Sequence, residues 1–340
     1  MSVSAMHDEA DSSSPCLQGE VGGGFEARSA EAVSQAAPDQ STPPQPSPSP
    51  AAKGRELTWF DGALVASDAL QAGLTTHAMH YGSGVFEGIR AYATVDGGAA
   101  VFRLPEHLER IRKGAALLGL AFDPAQATQA VLATLRANGH RDAYIRPLAW
   151  FGEGSFGLDV EGHAPHMMVA TTATQVHLNG TRARLGVSSW RRNPADSLPP
   201  LKLCGAYVNS ILAKREAKSR GFDEAMFTDR AGNVVECTGA NLFMVKDGNV
   251  VAIEHPDALP GITRDSLIAL TGAASRMATL DELLDADEVF ACGTAAEVAP
   301  ISQVEDRDYG TNPVTRAIAE HYQRVVRGED TSYRHWLTAV

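Results

Sequence analysis

Residues 198–207 read Leu-Pro-Pro-Leu-Lys-Leu-Cys-Gly-Ala-Tyr and place Lys202 between two leucines. The chain contains six lysines, and the other five lie in a Pro-rich amino-terminal segment, on predicted helix faces or in a polar turn. An ammonium group in apolar surroundings costs free energy unless it is paired, neutralised or used covalently. The residues alone leave two interpretations open. Lys202 is either a desolvated amine that bonds covalently to a carbonyl cofactor, or a lysine whose stem passes the leucines to reach solvent.

The composition is that of an ordinary globular protein. The chain has 340 residues, 44% hydrophobic and 21% charged, and this length predicts one or two domains. A net charge of −12 argues against nucleic acid or an anionic membrane surface as a partner. No apolar run reaches the roughly 18 residues that span a bilayer. The four cysteines form no Cys-x-x-Cys pair and no secretory segment is evident, so we expect a cytoplasmic protein with free thiols.

Residues 1–54 differ in composition from the rest of the chain. They carry seven of the 18 prolines, with many serines, glycines and alanines. Without apolar periodicity such a segment buries too little surface to offset its ordering entropy, so we predict a disordered tail. An organellar transit peptide would be rich in arginine and poor in acids, whereas this segment has only Arg28 and Lys53 as basic residues.

Beyond residue 57 the pattern predicts a mixture of short strands and helices. Hairpins are predicted to turn at 61–62 and 96–98, and a Gly-rich loop at 152–165 is long enough to form an active-site lid. Strands are predicted at 85–92, 99–104, 143–151, 166–172, 185–190 and 288–292, and helices at 105–120, 124–137, 204–220 and 313–326. The helix at 204–220 is expected to turn Tyr207, Ile211, Leu212 and Ala217 inward.

The order of these elements decides the fold class. Strands and helices follow one another without a regular βαβ alternation, which predicts an α+β protein with mixed or antiparallel sheets and flanking helices, not a doubly wound sheet. We predict a smaller α+β domain at 55–175, a linker at 176–182, and a larger domain at 183–340 that carries Lys202. No metal-ligand set is predicted.

Seven motifs then coincide with one family. In the family's order and spacing, over about residues 57–327, they resemble the branched-chain aminotransferases, which belong to the fold-type IV class of pyridoxal-phosphate enzymes. The motifs are His-Tyr-Gly-Ser-Gly-Val-Phe-Glu-Gly-Ile-Arg-Ala-Tyr (80–92), Glu-His-Leu-Glu-Arg (106–110), Tyr-Ile-Arg-Pro (144–147), the Lys202 stretch, Glu-Cys-Thr-Gly-Ala-Asn-Leu-Phe (236–243), Leu-Pro-Gly-Ile-Thr-Arg (259–264) and Gly-Thr-Ala-Ala-Glu (293–297).

The resemblance implies an activity and a quaternary structure. It implies a two-domain fold-type IV enzyme that moves amino groups between L-leucine, L-isoleucine or L-valine and 2-oxoglutarate, as a homodimer or larger homo-oligomer. A D-amino-acid aminotransferase or a 4-amino-4-deoxychorismate lyase would share the fold and cofactor, but both usually differ around 81–90 and 144–146. A non-catalytic protein that binds pyridoxal phosphate is the third alternative, and the intact Lys202, Glu236 and Arg110 argue against it.

The resemblance also implies a cofactor site for pyridoxal 5'-phosphate. Lys202 corresponds to the lysine that forms the internal aldimine, and Glu236 to the carboxylate that pairs with the pyridine nitrogen. Tyr207 corresponds to the tyrosine that donates to the phenolic oxygen. The residues that it implies for the phosphate and its surroundings are Arg110, Ile262, Thr263, Thr238, Gly239 and Thr294. Each has a structural alternative, such as a core tyrosine at 207 or a plain helix cap at 263.

For the substrate, the resemblance implies one pocket that takes both an aliphatic side chain and the second carboxylate of glutamate. Backbone N–H groups of Thr294 and Ala295 would bind the α-carboxylate. Arg146 and Tyr81 would meet the glutamate carboxylate, with Tyr81 reaching into the neighbouring subunit's site. The apolar side would be lined by Phe86, Tyr144 and Val85. A buried Arg146 paired with an internal acid is the alternative. Ala240 stands where bacterial relatives often have Glu, and 173–180 lacks an aromatic residue that some relatives place over the substrate.

Overall fold

Two β-sheets divide the chain, one formed mostly by residues before 173 and the other by residues after 183. The computed structural model describes residues 56–173 and 183–340. The tail predicted at 1–54 and the linker predicted at 176–182 lie outside the described residues. No helix among the described residues combines the length and apolarity needed to cross a membrane.

The amino-terminal sheet is antiparallel in each described pairing. Its strands are β1 (Leu57–Phe60), β2 (Ala63–Ala66), β3 (Gly84–Phe86), β4 (Ile89–Ala93), β5 (Ala99–Phe102), β6 (Ala143–Phe151), β7 (Pro165–Ala173) and the carboxy-terminal β17 (Leu337–Ala339). They lie in the order β17-β5-β4-β6-β7-β1-β2, with β3 paired to β6. Residues of β6 alternate between buried and half-buried, because one face of the sheet packs on helices.

Three helices accompany this sheet: α1 (His77–Tyr81), α2 (Leu104–Leu118) and α3 (Pro124–Asn138). Both long helices have proline in the first turn and end at a glycine with positive φ, as the sequence predicts. Asp123 caps α3 by accepting from the N–H of Ala125 at 2.9 Å. Apolar residues of α2 and α3 and of β4 and β6 form one buried cluster, which also contains Leu203 and Ala206 from the Lys202 stretch.

The carboxy-terminal sheet is mixed. Its strands are β8 (Ala183–Val187), β9 (Glu224–Thr228), β10 (Val234–Cys237), β11 (Asn241–Lys246), β12 (Asn249–Ile253), β13 (Ala274–Arg276), β14 (Glu288–Gly293), β15 (Glu297–Val304) and β16 (Arg307–Asp308). They lie in the order β10-β9-β8-β15-β14-β11-β12-β13, with β16 beside β15. Strand β8 runs parallel to β9 and β15, and β12 runs parallel to β13. The associated helices are α4 (Tyr207–Ser219), α5 (Ile262–Thr271), α6 (Leu280–Leu284) and α7 (Pro313–Val326).

The two sheets share a buried cluster. Tyr92 and Phe102 of the amino-terminal sheet pack with Phe243, Phe290 and Tyr322 of the carboxy-terminal half. The carboxy-terminal strand β17 also returns to pair with β5, so the end of the chain belongs to the first sheet. No sequence pattern predicted this pairing.

One predicted strand is wrong as a single element. The strand predicted at 85–92 is two strands, β3 and β4, interrupted at Glu87 and Gly88. Glu87 is fully buried and bonded to the side chains of His107 and Arg110 of α2. A Cβ atom on Gly88 would lie 2.1 Å from the hydroxyl oxygen of Tyr144. The interruption therefore directs the Glu87 side chain toward α2, and Gly88 leaves space for the Tyr144 hydroxyl.

The inward face predicted for the helix after Lys202 is partly wrong. The α-helix α4 begins at Tyr207 after a short 3-10 turn at Cys204–Ala206, and Ile211 is 57% exposed. Its buried residues are Ser210, Ala213 and Ala217. Small side chains let α4 lie close against β9, so the larger Ile211 is left outside.

Close backbone contacts fix the position of Lys202. Its carbonyl oxygen accepts from the N–H of Phe86 at 3.1 Å, and Leu203 bridges Val85. Gly82, with φ of 66°, approaches the same turn so closely that a Cβ atom there would lie 2.6 Å from Cα of Gly205. The motif at 80–92 and the Lys202 stretch are thus packed together, although they are far apart in the sequence.

Candidate active site

A cleft opens between the Lys202 turn and one edge of the carboxy-terminal sheet. Residues from all seven motifs line it, together with residues that the sequence did not single out. The lining residues that the sequence predicted are Arg110, Tyr144, Lys202, Tyr207, Glu236, Thr238, Gly239, Ile262, Thr263, Thr294 and Ala295. The fold therefore gathers the predicted cofactor residues into one place.

The side chain of Lys202 leads its amine into the cleft. Nζ donates a hydrogen bond to the Tyr207 hydroxyl at 2.9 Å and lies 5.5 Å from the centre of the Phe86 ring. The rings of Phe86 and Tyr207 pack 4.8 Å apart and form an aromatic wall beside the amine. Lys202 is half-buried, so the amine is accessible from the cleft.

Glu236 presents a buried carboxylate to the same cleft. The residue is 4% exposed. Its Oε1 accepts from Nε of Arg192 at 2.7 Å, and its Oε2 accepts from Nδ2 of Asn241 at 3.3 Å and from the N–H of Leu259 at 3.1 Å. Burial raises the pKa of Glu236 above its ordinary value and outweighs the lowering effect of Arg192. Glu236 is therefore buried and paired within the protein, and its predicted contact with a pyridine nitrogen stays a prediction.

The opposite side of the cleft is built to receive an anion. Helix α5 begins at Ile262, and within the described part of the chain no side chain caps its first turn. Free N–H groups and the positive end of the helix dipole therefore face the cleft at Ile262 and Thr263. Gly261 is required before this helix, since a Cβ atom there would lie 1.9 Å from the side-chain oxygen of Asn241.

Arg110 lies beside this helix terminus and is held by a buried acid. Its Nε and Nη2 donate to the two oxygens of Glu87 at 2.5 and 3.0 Å, and its Nη1 donates to the carbonyl of Pro260 at 2.8 Å. Nδ1 of His107 lies 2.9 Å from Glu87, and burial lowers the pKa of this histidine. Three of the five guanidinium N–H groups are used in these bonds, so two remain for an anion.

The ionised Glu87 carboxylate is expected to contribute to the stability of the fold. Burial alone would raise its pKa, but the charges and hydrogen bonds of Arg110 and His107 outweigh burial and hold the pKa well below its usual range. A depressed pKa in the folded state contributes stability above the unfolded pKa, near 4.5, that is lost as the pH falls below it. Glu87→Gln should therefore cost about 3–5 kcal/mol at pH 7, because it leaves a buried guanidinium unpaired.

The measurement is urea unfolding at pH 7 and at pH 4. The Glu87→Gln variant should lose stability at pH 7 and lose less than the wild type on acidification. The matched control is Glu109→Gln, whose partner Arg112 is on the surface and 48% exposed, and no measurable change is expected there. Equal stability of the Glu87→Gln and wild-type proteins at pH 7 would contradict this account.

Two chain turns close the cleft near Glu236. The Thr238 hydroxyl donates to Glu224 at 2.7 Å, so its only proton is used within the protein. A Cβ atom on Gly293 would lie 3.3 Å from the carbonyl of Gly239, which brings the turn at 293–296 against the turn at 238–240. Glu297 ends the second turn with φ of 54° and accepts from the Tyr92 hydroxyl at 2.9 Å.

Arg146 lies next to the aromatic wall. Its Nη2 donates to the Tyr144 hydroxyl at 2.7 Å, and its guanidinium lies over the Phe86 ring at 4.7 Å. None of the described carboxylates forms an ion pair with it, and its buried Nε has no hydrogen-bond partner among the described residues. The alternative of an arginine neutralised by an internal acid is therefore excluded for the described residues.

Tyr81 does not reach the cleft of its own chain. It lies at the end of α1, is 43% exposed, and packs its ring 4.7 Å from the ring of His77. Phe86 and Arg146 stand just behind the lining residues, whereas Tyr81 stands apart from them. Its predicted contact with a neighbouring subunit's site stays a prediction.

The comparisons with known proteins agree with this geometry. The sequence profile described as Amino-transferase class IV matches residues 84–304, nearly two thirds of the chain. The chain belongs to the class IV aminotransferase family. A curated relative, the branched-chain-amino-acid aminotransferase of Pseudomonas aeruginosa, is 36% identical over 299 residues, which cover 84% of this aminotransferase and 97% of the relative.

Solved structures agree as well. The T.th. branched-chain amino acid aminotransferase with pyridoxamine 5'-phosphate superposes with a TM-score of 0.80 at 42% identity, covering 84% of this chain and 98% of that one. The branched-chain aminotransferase of the archaeon Thermoproteus uzoniensis with norvaline gives a TM-score of 0.80 at 38% identity, covering 84% of this chain and 99% of that one. The expectation of a fold-type IV aminotransferase fold with mixed and antiparallel sheets is confirmed.

Sequence reasoning missed three residues of this aminotransferase site. Glu87 lies within a predicted strand of apolar residues, and an acid in such a run needs a partner, which is a usable signal. Arg192 lies in a polar segment, and Asn241 begins a strand. Neither has a local pattern that predicts contact with Glu236, from which Arg192 is separated by 44 residues.

Proposed function

We propose that this chain is a pyridoxal-phosphate-dependent branched-chain-amino-acid aminotransferase, exchanging amino groups between L-leucine, L-isoleucine or L-valine and 2-oxoglutarate. The observation that carries the proposal is that Lys202, Glu236 and the anion-binding end of α5 face one cleft. The names of the relatives with 36–42% identity over most of the chain support branched-chain amino acids as substrates. An amine, a ring-nitrogen partner and a phosphate cradle in one cleft fit pyridoxal 5'-phosphate.

Each part of the cofactor would meet a residue suited to it. Lys202 would bond its carbonyl carbon, Glu236 its ring nitrogen and Tyr207 its phenolic oxygen. Arg110 has two unused donors for the phosphate, beside the free N–H groups at Ile262 and Thr263. Thr238 would contribute through its backbone or as an acceptor, because its hydroxyl proton goes to Glu224. When bound, the cofactor supplies the electron sink that stabilises negative charge at the substrate Cα.

The protein supplies the proton transfer. Nζ of Lys202 is the group that would remove the proton from the substrate Cα and deliver it to the receiving carbon. The Tyr207 hydroxyl, 2.9 Å from Nζ, holds the amine on the cleft side. Thr294 and Ala295, on the turn after Gly293, would orient the α-carboxylate through their backbone N–H groups, so that the Cα–H bond faces Lys202.

The rings of Phe86 and Tyr144 and the guanidinium of Arg146 would let one pocket take two kinds of side chain. An aliphatic side chain would lie against the rings of Phe86 and Tyr144. The second carboxylate of glutamate would instead meet the Arg146 guanidinium, which has no acidic partner among the described residues and lies over the Phe86 ring. Apolar contact and charge pairing then occupy neighbouring positions in the same pocket.

We further propose that the active form is a homodimer. Large apolar side chains are exposed just before and on α1 and on the loop between β6 and β7, and His80 contacts both segments. A group of exposed apolar residues favours burial against another chain. They are Leu74, Met79, Tyr81, Phe156 and Leu158. A second copy that covers this surface would bring Tyr81 to the neighbouring cleft, and its hydroxyl would assist Arg146 in binding glutamate.

Mixing two inactive proteins tests the shared site. Dimers of Tyr81→Ala and of Lys202→Ala should each be impaired, and the mixture after subunit exchange should recover up to about a quarter of wild-type activity with glutamate, because half of the dimers are hybrids with one intact site. Exchange is verified by native mass spectrometry. Proven exchange without recovery would contradict a site built across the interface.

A substrate panel tests the function itself. Half-reactions with L-leucine, L-isoleucine, L-valine and L-glutamate should each convert the bound cofactor, followed by its absorbance. D-alanine and 4-amino-4-deoxychorismate are the comparison substrates for the two related activities. Conversion by D-alanine or release of pyruvate from the chorismate derivative, without reaction of L-leucine, would overturn the assignment.

Two organisational features are proposed with it. The two sheets support a division into domains at 55–175 and 183–340, with β17 returning to the first sheet. The cysteines in the described residues, Cys204, Cys237 and Cys292, are free thiols, which supports a reducing cytoplasm as the site of action. Cell fractionation with a cytoplasmic marker tests the location.

A further inference from the structure

Arg192 is a buried cation whose contacts within the protein are incomplete. Its side chain is 6% exposed, and Nε donates to Oε1 of Glu236 at 2.7 Å. Nη1 is buried and has no hydrogen-bond partner among the described residues. A buried donor without a partner costs free energy, and purely structural arginines are normally satisfied. Arg192 also lines the cleft, which points to a role in the site beyond stabilising the fold.

The hydrogen bonds that Glu236 accepts from the protein leave its carboxylate one free acceptor position. A carboxylate accepts about four hydrogen bonds, and three protein donors occupy Glu236: Arg192 on Oε1, and Asn241 and the Leu259 N–H on Oε2. These donors come from three separate segments and fix the plane of the carboxylate. One acceptor position remains, on Oε1, and Glu236 lines the cleft.

The charge of Glu236 depends on what surrounds it. Among the described residues, the charged groups that act on it are Arg192 and Lys202, and the neighbouring Cys237 thiol feels its negative charge. Burial favours the neutral acid, and Arg192 opposes burial more strongly than Lys202 does. Without Arg192, the protonation equilibrium of Glu236 shifts toward the neutral acid. A neutral acid cannot form an ion pair with a positively charged ring nitrogen.

We propose that Arg192 is a positioning residue that keeps Glu236 ionised and turned toward the cofactor's ring nitrogen, and thereby sets the protonation of that ring. The inference rests on the proposed function. Arg192 acts through Glu236: it supplies the charge that a buried acid needs in order to stay ionised, and the hydrogen bond that aims it. Its own guanidinium takes no part in proton transfer at the substrate.

The test is a pH titration of cofactor absorbance in full-length holoenzyme. Arg192→Gln keeps a donor and removes the charge. It should move the pH midpoint of the absorbance transition up by about one unit or more. The transition would report protonation of the nitrogen that links the cofactor to Lys202, and a positive charge on the ring nitrogen lowers the pKa of that linking nitrogen. Loss of the ring's charge therefore raises the midpoint. Its kcat should fall roughly 10–100-fold, as when residues behind a ligating group are removed, with both KM values unchanged. Arg192→Lys keeps the charge and should titrate as the wild type.

A double-mutant cycle shows whether Arg192 works through Glu236. Glu236→Gln should shift the transition in the same direction as Arg192→Gln, and the double variant should show no further shift. Arg191→Gln is the matched control, since the Arg191 guanidinium bonds to the carbonyls of Ser188 and Ser189, and it should match the wild type in both titration and kcat.

The outcomes separate the two claims. Wild-type protein that reacts with none of the panel's substrates overturns the proposed function and leaves the titration as an independent result. An Arg192→Gln enzyme that titrates as the wild type overturns the role of Arg192 alone. A shift of about one pH unit or more in Arg192→Lys relative to the wild type shows that charge is not the cause and overturns the role of Arg192. This comparison needs only Arg192→Lys and the wild type, so it holds even where Arg192→Gln fails to fold. Additive shifts in the double variant also overturn the role of Arg192.

Discussion

A Lys202→Ala enzyme should lose transamination by at least about 10⁴-fold, because general acid–base catalysis alone contributes 10²–10⁴ and the covalent bond to the cofactor is lost as well. No other lysine lines the cleft among the described residues, so no neighbouring amine can replace Nζ. The variant should still bind cofactor through Glu236, Arg110 and the end of α5. The readouts are single-turnover conversion of L-leucine and the mass of the protein after borohydride treatment.

The wild-type protein should gain the mass of the reduced cofactor on a peptide that contains Lys202. The Lys202→Ala protein should gain none, and it should lack the absorbance near roughly 410–430 nm that marks a covalently held cofactor. Lys218→Ala, at an exposed position on α4, is the matched control and should behave as the wild type. A Lys202→Ala protein that transaminates at a substantial rate would refute the mechanism.

An Arg146→Leu enzyme should become selective against glutamate. Loss of a charged partner for a buried carboxylate typically costs about 2–5 kcal/mol, so kcat/KM for the L-glutamate half-reaction should fall by a factor between about 30 and about 4 × 10³. The L-leucine half-reaction should change by less than about tenfold, since an aliphatic side chain would lie against the Phe86 ring and makes no charge pair. The two half-reactions are measured separately by stopped-flow absorbance.

Two controls sharpen this prediction. Arg146→Lys keeps the charge without the planar fork and should fall between the wild type and Arg146→Leu with glutamate. Arg141→Leu removes a surface arginine that donates to the carbonyl of Gly98 and should leave both half-reactions unchanged. Equal losses with leucine and glutamate in Arg146→Leu would mean that the residue supports the pocket without recognising the carboxylate.

Much of the local structure could be predicted because its causes are local. Proline in the first turn and glycine at the end placed α2 and α3, and Asp61 and Gly62 placed the first hairpin turn. Each motif keeps its own short-range geometry, and the fold then brings the predicted cofactor residues to one cleft. Helical periodicity predicted the buried face of α4 only in part, because packing against the sheet decides which face is buried. Ile211 is exposed, and the smaller Ala213 and Ala217 are buried.

The order of residues along the chain was enough to single out Lys202, in 198–207, as a candidate for a bond to a carbonyl cofactor. The family resemblance added the prediction of a carboxylate, an arginine and a helix terminus beside it. The pairings that make these groups work emerged only in the folded chain: Glu87 with Arg110, and Arg192 with Glu236. Backbone preferences act between near neighbours and are therefore visible in short stretches of sequence. The pairing of buried charges depends on which distant segments exclude water together, and this is settled only when the two halves of the chain pack.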